Sequence, residues 1–140
     1  METSKEVIDE LSKILDATPK KLNQNNMKVK TINVPIYDCY LTIIFTKDLN
    51  EVVKKYKLEG NWGEFGALTF EDNPKSRYYV TAFTDADHLS NIAHEVVHIK
   101  NNIFLGINAK VDLHNDEPEA YLTGWLFDQI NNFLKTFKSE

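Results

Sequence analysis

Residues 91–102 read NIAHEVVHIKNN, and within them His94, Glu95 and His98 stand in the spacing H-E-x-x-H. Residues four apart on an α-helix project from one face, so His94 and His98 can aim imidazole nitrogens at a single ion about 2.0–2.1 Å away. Glu95 lies about 100° round the helix from His94, within reach of a water bound to that ion without ligating the ion itself. The other residues of the segment agree with a helix seated on a core. With His94 at zero, Ile92, Val96, Ile99 and Ile103 cluster at about 140–200°, opposite the histidines. A helix is therefore expected from about His88 to Leu105, with Gly106 as its stop. The bland alternative is a pair of histidines solvated on a polar helix face.

Upstream, GALTFE (66–71) and SRYYVTAF (76–83) are β-prone runs joined by the turn-like DNPK, which predicts a hairpin. Residues 28–35 and 39–46 are rich in Val, Ile, Thr, Tyr and Phe, and Pro35 to Asp38 separate them as a second hairpin turn. Between the two hairpins, Asn50 is read as the cap of a short helix EVVKKYKL (51–58) that Gly60 stops. At the start of the chain, Thr3 caps an expected helix over 3–16, with Val7, Ile8, Leu11, Ile14 and Leu15 at helical spacing. Downstream, INAKVDLHND reads as a loop and a last helix is expected from Glu117 to Phe137. In that helix Asp116 is the N-cap, Glu119 its capping-box partner, and Pro118 is tolerated in the first turn. The order predicts an α+β fold: a small, mostly antiparallel sheet packed on the H-E-x-x-H helix and a C-terminal helix. One domain over 1–140 is expected, with 1–25 as an N-terminal helix and polar linker.

The chain has 140 residues, 42% hydrophobic and 11% aromatic, enough to bury a core. A formal charge of −5 and a pI near 5.4, with no cluster of Lys and Arg, argue against nucleic acid as partner. METSKEVIDELSKIL has no unbroken apolar region, so no signal peptide is read there, and no run reaches membrane-spanning length. The lone Cys39, within YDCYLTIIF, is read as buried filler, and a reducing cytoplasm is the expected compartment.

Catalytic zinc keeps three protein ligands and one open position. Candidates for the third are Asp112, His114, Asp116, Glu117 and Glu119. On the last helix Leu122, Leu126, Ile130, Phe133, Leu134 and Phe137 form the apolar stripe, and Glu119 shares its phase. Glu117 lies on the other side with Tyr121 and Gly124. Helical phase alone leaves Glu117 and Glu119 both open as ligands.

H-E-x-x-H, a loop of about twenty residues and a helix opening with Glu together resemble the gluzincin metallopeptidases. The family's ligand helix reads N-E-x-x-x-D with a small residue three positions on, and Glu117, Ala120, Tyr121 and Gly124 fall into that register. The segment also resembles small zincin-like proteins encoded by bacteriophages, which would place the chain in the host cytoplasm. The resemblance implies a minimal zincin-like fold, Zn²⁺ as cofactor, and His94, His98 and Glu117 as its ligands. It further implies that Gly124 allows close approach to the H-E-x-x-H helix. Where the family has an Asp that orients a ligating histidine, this chain has Tyr121, an uncharged phenol that tunes an imidazole more weakly.

The implied activity is zinc-dependent hydrolysis of a protein or peptide substrate, with Glu95 as general base for the metal-activated water. Tyr121, His114 and then Tyr78 or Tyr79 are the candidates for stabilising the oxyanion. SRYYVTAF is read as the strand that can pair with extended substrate if it lies at the sheet edge. The alternative is a zincin-shaped metal-binding protein, weak or inactive in catalysis, that acts as an interaction or regulatory factor. His88 is read as a polar residue at the helix start, and Trp62 and Trp125 as packing residues.

Overall fold

The computed structural model describes residues 27–73 and 76–138. The helix expected over 3–16 lies outside the described residues, as do two residues of the DNPK turn. Seven elements follow in order: β1 (Lys28–Val34), β2 (Cys39–Phe45), α1 (Leu49–Lys55), β3 (Ala67–Glu71), β4 (Tyr78–Phe83), α2 (Leu89–Gly106) and α3 (Glu117–Lys135). The fold is α+β, as expected.

Both predicted hairpins form. β1 pairs antiparallel with β2 from Lys28↔Phe45 to Val34↔Cys39, and β3 pairs antiparallel with β4 from Ala67↔Phe83 to Glu71↔Tyr79. They join through a parallel pair, β2 beside β4, with Leu41 opposite Tyr79 and Ile43 opposite Thr81. The strand order is β1-β2-β4-β3. Local alternation writes hairpins but carries no signal for a pairing between strands some 40 residues apart, so the parallel centre is a tertiary outcome. One consequence decides between the two readings of SRYYVTAF: β4 is interior, buried from Tyr79 to Phe83, and the edge strand beside it is β3. A strand covered on both faces reads as a nearly continuous apolar run, and YYVTAF does.

The sheet separates two apolar clusters. On one face Leu41, Ile43, Tyr79 and Phe83 pack under Ile92, Val96, Ile99 and Ile103 of α2 and Leu122, Leu126, Ile130 and Leu134 of α3. On the other, Ile44, Leu68, Val80 and Ala82 meet Leu49, Val52 and Val53 of α1. Helix α2 lies across β3 and β4, while α3 rests on α2 and β2.

The helix ends differ from expectation in instructive ways. The cap of α1 is Asp48, whose Oδ1 accepts from the N–H of Asn50 at 2.9 Å. Asn50 lies inside the helix, where its side-chain oxygen accepts from the N–H of Trp62. Asp116 flanks α3 with no side-chain cap bond, so the predicted capping box is absent, because Glu119 is engaged elsewhere. Gly106 is the last residue of α2, and the left-handed residue follows at Asn108 (φ 56°). Gly106 serves packing: a Cβ there would lie 2.6 Å from the Tyr79 hydroxyl, which donates to the Asn102 carbonyl. Gly124, by contrast, faces open space, so the close helix approach expected of it is not its role.

Gly106→Ala is accordingly expected to cost about 2 kcal/mol in urea unfolding, a steric price for moving a buried ring. In a Tyr79→Phe background the next atom is 3.9 Å away, and the same substitution should then be close to neutral. Equal cost in both backgrounds would refute this account of Gly106.

Candidate metal centre

Burial of the α2 stripe turns His94 and His98 outward, and both are exposed. Their Nε2 atoms lie 3.2 Å apart, with the rings at 69° to one another. Two nitrogens on one tetrahedral zinc, each about 2.0–2.1 Å from it, stand about 3.3–3.4 Å apart. The two Nε2 atoms stand at hydrogen-bond distance from each other, slightly closer than the separation chelation requires. Neither Nδ1 has a hydrogen-bond partner among the described residues, so no second group orients the rings.

Glu95 is turned the other way. Only 5% exposed, it faces the sheet, and its Oε2 accepts from the Thr69 hydroxyl at 2.5 Å. Thr69 Oγ1 is in turn 2.9 Å from Thr81 Oγ1 on the neighbouring strand. Thr69 belongs to edge strand β3. The bonds Thr84 N–H to Gly66 O and Asp72 N–H to Tyr78 O set the alternation of this ladder. Leu68 and Phe70 thus bond to β4, while the N–H and C=O of Ala67 and Thr69 point away from it. Among the described residues no strand pairs along that outer side.

The two glutamates at the start of α3 are divided clearly. Glu119 forms an ion pair with Lys100 of α2, in which the lysine side chain is 9% and the carboxylate 20% exposed. Glu119 is thereby withdrawn as a ligand. Glu117 is exposed and makes no hydrogen bond or ion pair with a described residue. It does not complete the centre as it stands, since among the described residues no three His, Cys, Asp or Glu side chains are placed to hold one ion. The residues present fit two positions of a cation site and leave the third donor unassembled.

The candidates for stabilising an oxyanion are also sorted. Tyr121 is 77% exposed and lines an apolar cavity of about 790 Å³ with Val34, Ile36, Pro118, Leu122 and Trp125, which includes none of His94, Glu95 and His98. It makes no hydrogen bond to either histidine. Tyr78 stacks on Tyr40 at 4.8 Å between ring centres, one residue out of phase with Tyr79 and so on the sheet face away from α2. Tyr79 is buried, its hydroxyl held by Asn102 O near the far end of α2, and burial raises its pKa. His114 is exposed in the loop between α2 and α3, where its N–H donates to Asp112. Among the described residues none of the four makes a hydrogen bond or ring contact with the histidine pair.

His88 precedes α2 and pairs with Asp85, Nδ1 to Oδ2 at 2.6 Å. The Asp85 carboxyl is held below its ordinary range, first by the N–H of Asp87 and also by His88. Cys39 is buried, and burial pushes its thiol up to about 11, which fits filler and not a nucleophile. No helix among the described residues is long and apolar enough to cross a membrane.

Three residues that support the site's side chains escaped the sequence: Thr69, Thr81 and Lys100. The threonines read simply as strand formers. Lys100 carried a signal, since its phase on α2 falls between Ile103 and Phe104, and a lysine inside an apolar stripe implies a partner. No family model, curated protein or solved structure matches the chain.

Glu119→Leu, which leaves Lys100 buried and unpaired, should lower stability by about 3 kcal/mol in urea unfolding. Lys100→Met should cost less, because Glu119 keeps part of its surface in water. The double variant should recover most of the loss. Additive losses would show that the pair is not coupled.

Proposed function

We propose that the protein is a metal-dependent peptidase in which His94 and His98 hold a divalent ion, zinc by the chemistry of the donors, and Glu95 is the general base. The convergence of the two Nε2 atoms at 3.2 Å on an exposed helix face supports this reading most directly. Glu117 is proposed as the third donor, since Glu119 is committed to Lys100 and Glu117 is not. A zinc ion bound there supplies an acidified water and a Lewis acid for a carbonyl oxygen.

The chain's own residues do the rest. His94 and His98 present neutral Nε2 atoms, which requires the proton of each ring at Nδ1. Glu95 is proposed as the base: held by Thr69 on the sheet side of α2, its carboxylate takes a proton from water and returns it to the leaving amine. The outward N–H and C=O of Ala67 and Thr69 offer an extended peptide the hydrogen bonds of an added strand, so the substrate runs along β3 and not along β4.

A second reading, a metal-binding protein without turnover, is favoured by one observation: Glu117 is not gathered to the histidines. Metal content by mass spectrometry decides the ligands. One equivalent of zinc is expected in the wild type and none in His94→Ala. Glu117→Ala should weaken binding on the order of 10–100-fold or more, and Glu119→Ala should leave it unchanged. No zinc in the wild type defeats both readings. Cleavage of a peptide library by the wild type, reduced at least about 100-fold in Glu95→Gln, supports the peptidase. Zinc without cleavage leaves the second reading standing.

A further inference from the structure

Glu95 sits in a place where a carboxylate does not rest unaided. It borders the apolar stripe of α2, faces a sheet, and is 5% exposed. Its one hydrogen-bond partner among the described residues is the Thr69 hydroxyl. A hydroxyl has a single proton, and Thr69 gives its proton to Glu95 Oε2. The 2.9 Å contact to Thr81 must then be donated by Thr81, which is fully buried and stands opposite Thr69 in the β3–β4 register. The donor order is Thr81 to Thr69 to Glu95, a polarised chain in which each bond strengthens the next.

We propose that Thr69 is a positioning residue for Glu95, with Thr81 fixing the direction of its hydroxyl. The catalytic consequence rests on the peptidase reading. The Thr69 bond holds one carboxylate oxygen against the edge strand and so sets where the other points. Because the N–H and C=O of Thr69 also face out of the sheet edge, a peptide pairing along β3 bonds to the residue that aims the base. Substrate register and base position are thereby coupled through one residue. A valine at position 69 would keep the strand and the volume but remove the donor, and a serine would keep the donor and lose only a methyl group.

Carbon-13 NMR of the full chain tests this without requiring turnover. The side-chain carboxyl resonance of Glu95 is identified by its loss in Glu95→Gln. Thr69→Val is expected to move it by more than its linewidth, Thr69→Ser to restore it, and Thr81→Val to move it less in the same direction. The spectrum reports folding at the same time, and Thr81→Val supplies the comparison if Thr69→Val does not fold. A Glu95 resonance unmoved by removal of the hydroxyl overturns the proposal, as does a Thr69→Ser resonance that stays displaced. On a cleaved peptide, Thr69→Val should lose on the order of 100-fold in kcat with KM within about twofold, and Thr69→Ser should recover it. Equal impairment in Val and Ser variants would also overturn it. A wild type that cleaves nothing defeats the peptidase reading, and the NMR result then decides the positioning role by itself.

Discussion

Helix α2 buries Ile92, Val96, Ile99 and Ile103 against the sheet, and at 3.6 residues per turn that seating fixes the direction of every other side chain it carries. His94 and His98 fall opposite the stripe and are exposed. Glu95 and Lys100 fall on its two borders, and each is drawn under cover. Burying a charge without a partner costs far more than one pairing returns, so both borders had to be answered by other elements. Thr69 of β3 answers Glu95, and Glu119 of α3 answers Lys100. The two contacts brace the same helix from opposite sides.

The sheet topology decides which strand meets the helix border. With β2 and β4 paired in parallel at the centre, β3 is left outermost on the α2 side. Thr69 and Thr81 face each other across β3 and β4 on the helix-facing side, so two small hydroxyls occupy a spot where larger side chains would push α2 away. A polar spot in an otherwise apolar interface has to be complete to be stable, and here the threonines and the carboxylate complete one another. The outward backbone of β3 lies next to that spot, which places a strand edge that no other described strand pairs with and a carboxylate within one element of each other.

Much of the fold was legible because its signals are local. The helix expected over 88–105 is found at 89–106, the strands expected at 28–35 and 39–46 at 28–34 and 39–45, and the last helix starts at Glu117 as read. Periodicity and turn residues carry that information within a few residues of chain. The misplaced cap at Asn50 illustrates the limit: Asp48 and Asn50 are both good caps, and Asn50 was drawn to Trp62, twelve residues away. The Asp116–Glu119 capping box failed for a similar reason, since a buried lysine outcompetes an exposed backbone N–H for a carboxylate. SRYYVTAF was read as able to lie at the edge because one strand's pattern does not name its neighbours.

His94 and His98 sharing a face, turned from the core, follows from the sequence alone, because both the four-residue spacing and the apolar stripe are properties of a single helix. So does the opposition of Glu117 and Glu119 on α3, which phase alone already described correctly. Only the tertiary structure decided that Glu95 is held by Thr69, that Glu119 belongs to Lys100, and that Tyr121 lines a separate apolar cavity. Each of these joins residues from different elements, and helical phase gives a side chain a direction without saying what stands there to receive it.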